Sequence, residues 1–168
     1  MQYVSKWQRK GNEIMSEIKV SIVNLKKQTV YGLWKNSNDS TVSKDIKNLS
    51  KKYHIKVSSP GSKVFPYFVL SRNYNELSKD FEMFVGGTID KKGLESLIIP
   101  NGEYARITIK PKLGFLWGLA IGEAKRYFYT KWLPKSRYSA LNMEYEYHTE
   151  KSDGKSPEID IFFAVKRK

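Results

Sequence analysis

Glu144, Glu146 and His148 alternate with Tyr145 and Tyr147 along the segment from Met143 to His148. In an extended strand, two carboxylates and an imidazole therefore share one face, and two phenols share the other. Such a face has three uses: holding a positively charged ligand, ligating a metal, or supplying a general base. A metal is disfavoured, because alternate positions on one strand make a poor tetrahedron and the only other histidine, His54, ends a separate helix. A base needs an acid partner within reach. No nucleophile motif, phosphate loop or Ser/His/Asp arrangement accompanies it, and Gly86-Gly87 reads as a turn. A cation fits best. Burial costs a carboxylate its hydration unless a positive group meets it, and each aromatic face beneath a cation adds about 0.5–2 kcal/mol.

The surrounding composition sharpens this expectation. Between Met143 and Asp160, six acids face only Lys151 and Lys155, a net −4 in a 168-residue chain of net +13, so the remainder carries +17. Screening confines the repulsion from distant lysines to about 8 Å at physiological salt, which leaves the local carboxylates in control. Residues 1–60 hold twelve Lys and Arg against four acids, a bias read first as solubility. Lys6, Trp7, Arg9 and Lys10 mix charge with an aromatic, yet no nucleic-acid-binding motif appears. Contact with nucleic acid is expected to be weak and non-specific, if it occurs at all. Absent cysteines exclude disulfides and thiolate chemistry. Without an N-terminal apolar run the chain is expected to be cytoplasmic, with no membrane contact. Aromatic residues make up 14% of it, enough to line a pocket. Candidate walls are Trp34, Tyr67, Phe68, Trp117, Tyr127 and Tyr138.

Periodicity places these residues on elements. Ile18 to Trp34 reads as one long strand or two short ones, and Asn36 to Ser40 as a loop ending in an N-cap. Val42, Ile46, Leu49 and Tyr53 then form a helical stripe. Val64 to Leu70 and Phe81 to Ile89 follow as strands, with Pro66 suggesting an edge or a bulge. After Pro100-Asn101-Gly102 the order recurs: strand Tyr104–Lys110, helix Leu113–Leu133, and strands Leu141–Thr149 and Glu158–Val165. Gly114, Gly118 and Gly122 share one face of the second helix and read as a tight packing surface. The expected fold is α+β: a tandem βαββ repeat, its antiparallel sheet carrying two helices on one side and a central groove. An arm would span 1–17 and the domain 18–168, in halves of roughly 18–99 and 100–168.

Residues 97–134 carry a resemblance. Leu97-Ile98-Ile99-Pro100-Asn101-Gly102-Glu103-Tyr104-Ala105, then Gly114, then Trp132-Leu133-Pro134, is similar to the motif order of gyrase-inhibitor-like domains, also called AraC-type effector-binding domains. Asp80-Phe81-Glu82 leading to Val85-Gly86, the strand at 143–148 and Glu158-Ile159-Asp160-Ile161 resemble further strands of that family. The resemblance implies a groove for hydrophobic, often cationic compounds, with sensing or sequestration as the function and no cofactor. It implies one buried glutamate, matched by Glu146 after Tyr145, with Glu144 as a second carboxylate on the same face. It also places Tyr104 as a ring or hydroxyl facing Glu146. Some relatives resemble hydrolases of strained compounds, so Glu146 and Tyr104 as base and acid form the alternative. Regulation would require a separate protein partner.

Overall fold

The computed structural model describes residues 17–168. Lys6, Trp7, Arg9, Lys10 and all of the expected arm but Glu17 lie outside the described residues. The first strands are β1 (Ser21–Leu25) and β2 (Gln28–Asn38), so the polar stretch after Trp34 continues as strand rather than loop. Helix α1 (Val42–Val57) follows at once. The Asn38 side-chain oxygen accepts from the Ser40 and Thr41 amides at 2.9 and 3.1 Å. Asp45, inside the first turn, accepts from the Ser37 and Thr41 hydroxyls at 2.8 and 2.7 Å. These contacts brace the turn that leads into the helix. The expected stripe is the buried one: Leu49 and Tyr53 are enclosed, and Val42 and Ile46 pack beside them.

Strands β3 (Tyr67–Arg72) and β4 (Asp80–Gly87) complete the first unit. Pro66 does not mark an edge. It follows a cis peptide bond just ahead of β3, where its missing N–H costs the ladder nothing, and β3 is paired on both sides. Gly86-Gly87 is not a turn but the end of β4, paired to β2 and β3. A side chain at Gly87 would collide with the Tyr53 hydroxyl and the Pro66 carbonyl, which is why only glycine lets α1 settle there.

The second unit opens with β5 (Glu95–Ile99), a strand the sequence reading lacks, and continues with β6 (Gly102–Ile109). Helix α2 covers only Trp117–Tyr127, because Leu113 and Gly114 adopt positive φ and form a turn before it. A π-helical turn (Phe128–Trp132) and a 3-10 turn (Leu133–Lys135) lead to β7 (Tyr138–His148) and β8 (Ile159–Arg167). Gly118 and Gly122 are exposed, with open space around them. The glycine spacing therefore does not mark a packing face.

All eight strands form one antiparallel sheet in the order β1-β6-β8-β7-β3-β4-β2-β5. The order is symmetric about the β7–β3 pair, so the two units meet there. Each opening strand crosses over: β1 pairs with β6 of the second unit, and β5 with β2 of the first. The sheet curls, so that Val23 and Leu25 of β1 and Leu97 and Ile99 of β5 join a single cluster with Phe68, Tyr104, Tyr145 and Phe162. The opposite face carries both helices. α1 packs on Val69, Met83 and Val85, and α2 lays Ala120 and Ala124 with Phe128 onto Ile107, Ile161 and Phe163.

Candidate functional site

Strand β7 runs through the middle of the sheet, and its pairing fixes which way its side chains point. Glu146 stands opposite Val69 and Ile161, Glu144 opposite Ser71 and Phe163, and His148 opposite Tyr67. Val69 belongs to the cluster beneath α1, and Ile161 and Phe163 to the cluster beneath α2. The two carboxylates and the imidazole therefore lie on the helix-bearing face, at the seam between clusters. Tyr145 and Tyr147 point into the curl. The strict alternation read from Met143–His148 is thus the alternation in the sheet. A register shift between Ala140 and Glu144 precedes it. Asn142 turns there at positive φ and exchanges hydrogen bonds with the Tyr74 backbone, donating at 3.1 Å and accepting at 2.8 Å. Such a bulge re-aims the strand that follows.

Glu146 is 5% exposed. Its Oε2 lies 3.0 Å from Nε2 of His148. The His148 ring stacks on Tyr67, centroids 4.4 Å apart and planes 8° from parallel. Tyr67 in turn meets the edge of His54 from α1 at 4.8 Å. The sequence argument that no second histidine lies near is therefore overturned: the end of α1 folds back onto β3. His54 accepts the Val64 amide on Nδ1 at 3.2 Å, which requires that nitrogen to be unprotonated. Among the described residues, no three His, Cys, Asp or Glu side chains are grouped so as to hold a metal.

From the other side α2 supplies a cation. Lys125 Nζ lies 2.7 Å from Glu144 Oε1, and the Tyr129 hydroxyl donates to Glu144 Oε2 at 2.5 Å. The Glu144 side chain is 12% exposed and that of Lys125 29%. Burial alone would raise the Glu146 carboxyl. The His148 hydrogen bond and charge, with the Lys125 ammonium, outweigh burial and hold it below its ordinary 4.5. Lys125 is the mirror case: burial works against its charge, but Glu144 and Glu146 prevail and raise it. Burial, then the nearby carboxylates, raise Tyr67 and Tyr129, so both remain protonated donors at neutral pH.

Of the residues expected at the site, the structure gathers Glu144, Glu146 and Tyr67. Tyr104, Tyr145, Phe68 and Trp34 belong to the cluster inside the curl, across the sheet. Tyr104 gives its hydroxyl proton to the Pro100 carbonyl at 2.7 Å and does not face Glu146. Glu146 and Tyr104 therefore do not form the base–acid pair of the alternative reading. Its position follows from register: Tyr104 pairs with Ala164, whereas the helix side of β6 is taken by Ala105 and Ile107. Trp117 and Tyr138 pack in the cluster under α2, and Tyr127 lines a surface hollow of about 490 Å³ with Lys131 and Trp132. Lys125, Tyr129 and His54 are the members that sequence reading missed. A signal for Lys125 exists: Trp117, Ile121 and Lys125, four apart, run along the flank of the buried stripe, with lysine where an apolar residue would continue it.

The sequence pattern of a family described as integron-associated effector binding protein matches residues 21–165. No curated protein matches the chain. Solved structures share the fold at low identity. An integron cassette protein from Vibrio cholerae superposes with a TM-score of 0.64 at 14% identity, over 88% of this chain and 95% of its own. SAV2435, solved bound to tetraphenylphosphonium, gives 0.62 at 11%, over 88% and 94%. The C-terminal domain of EcmrR gives 0.59 at 16%, over 90% and 99%.

Proposed function

Because the chain belongs to the integron-associated effector binding protein family, we propose that it binds lipophilic cations at the seam, with Glu146 as the fixed anion. One observation carries this reading: the Glu146 carboxylate, 5% exposed, sits at the seam of the two units with His148 at 3.0 Å and the Lys125–Glu144 ion pair beside it. Ions buried in this way are costly unless paired. A cationic ligand would complete the pairing, and the Tyr129 ring would give it an aromatic face. The tetraphenylphosphonium bound by SAV2435, which shares the fold, supports a ligand of this class.

Glu146 is covered, so a ligand reaches it only when the cover moves. Helix α2 and the π-helical turn after it are that cover, since they bring Lys125 and Tyr129 over the acidic strand. The outcome of binding in this reading is sensing or sequestration, passed on through a separate protein partner. Titrating tetraphenylphosphonium against wild type and Glu146→Gln tests it. The variant is expected to bind about tenfold more weakly or worse, a loss of roughly 1.4 kcal/mol. Equal affinities would overturn the reading.

A further inference from the structure

The seam already contains a cation. Lys125 reaches in from α2 and touches Glu144 at 2.7 Å, while Glu146 beside it has His148 as its only side-chain hydrogen-bond partner among the described residues. A buried carboxylate can accept several hydrogen bonds, so Glu146 is under-served and Glu144, which also holds Tyr129, is well served. Lys125 and Tyr129 lie four apart along the chain and converge on the same carboxylate. Two carboxylates and one ammonium therefore share a site with low access to water. We propose that Lys125 is a resident competitor: its ammonium holds the place that a ligand's positive group takes, and binding requires its release together with the end of α2. This rests on the cation-binding reading and adds a regulator to it. A cation that cannot displace Lys125 is refused, which gives an otherwise permissive aromatic site a threshold.

Two substitutions should move affinity in opposite directions. Lys125→Met removes the competitor and is expected to tighten tetraphenylphosphonium binding about tenfold or more. Glu144→Gln leaves Lys125 opposite a single carboxylate and is expected to weaken binding by a similar factor. A third measurement needs no variant. Reductive methylation of wild-type Lys125, followed by peptide mass mapping, should run several-fold faster in protein saturated with tetraphenylphosphonium than in free protein. Should Lys125→Met fail to fold, Lys125→Gln and the methylation rate carry the test. If the Lys125 variant binds no more tightly and methylation is unchanged, while Glu146→Gln still loses affinity, the competitor is refuted and the cation site stands. If Glu146→Gln binds like wild type, the cation-binding reading itself falls.

Discussion

The two helices occupy equivalent places in the two units, yet they are built differently. α1 has sixteen residues, and its start is tied down by Asn38, Ser37, Thr41 and Asp45. It buries Leu49, Tyr53 and His54, and Tyr53 sits against Gly87 of the sheet. α2 has eleven, carries two exposed glycines and buries only two alanines. It then loosens into a π-helical turn, a form that often accompanies functional sites. Glycine in a helix interior costs about 1 kcal/mol relative to alanine. One unit holds a fixed helix and the other a helix with little to keep it in place. The weaker helix is the one that covers the carboxylates.

Three further measurements can break or sharpen that contrast. The largest effect should come from Leu49→Ala in α1, which is expected to lower unfolding stability by about 2–5 kcal/mol because a buried leucine leaves a cavity. A loss below 1 kcal/mol in a denaturant titration would mean that α1 is no better seated than α2. The second concerns pH. Burial, then Lys63 and His148, hold the His54 imidazole below its ordinary 6.5, so it stays neutral in the folded protein while the unfolded chain takes up a proton. Stability should therefore fall as pH drops through about 6.5, by at most about 1.4 kcal/mol per pH unit from this group. That slope should flatten in His54→Gln, and persistence of the full slope in the variant would place its origin elsewhere. The smallest effect belongs to α2: Gly118→Ala and Gly122→Ala, with open space at both positions, should each stabilise by about 0.4–1 kcal/mol. If α2 moves to admit ligand, the same changes should slow tetraphenylphosphonium association in stopped-flow measurements.

Much of this molecule was legible before any coordinates. The Val42–Tyr53 stripe predicts α1, and alternation predicts that Glu144, Glu146 and His148 share a face with Tyr145 and Tyr147 behind them. These are local periodicities, and burial on one side enforces them. The failures are contacts between distant segments. Lys125 and Glu144 are nineteen positions apart, and no period connects an α2 residue to a β7 residue. The motif puts Tyr104 on the wrong side because it gives order along the chain, whereas facing depends on sheet register. β5 is hidden because Leu97-Ile98-Ile99 runs straight into the Pro100-Asn101-Gly102 turn, although burial alternates along it. The apolar run from Leu113 predicts a start for α2 four residues early, because the positive φ of Leu113 and Gly114 is invisible in the sequence.

The exchange of opening strands has a mechanical consequence. Each unit completes its sheet with a ribbon lent by the other, as in a domain swap within one chain. Cut at the loop ahead of β5, the protein would yield two fragments, each lacking its own closing edge and carrying one that belongs to its sibling. Mixed together they should reassemble; kept apart, neither should remain folded. The clasp means that whatever loosens around α2 does so against a frame that cannot come apart by halves.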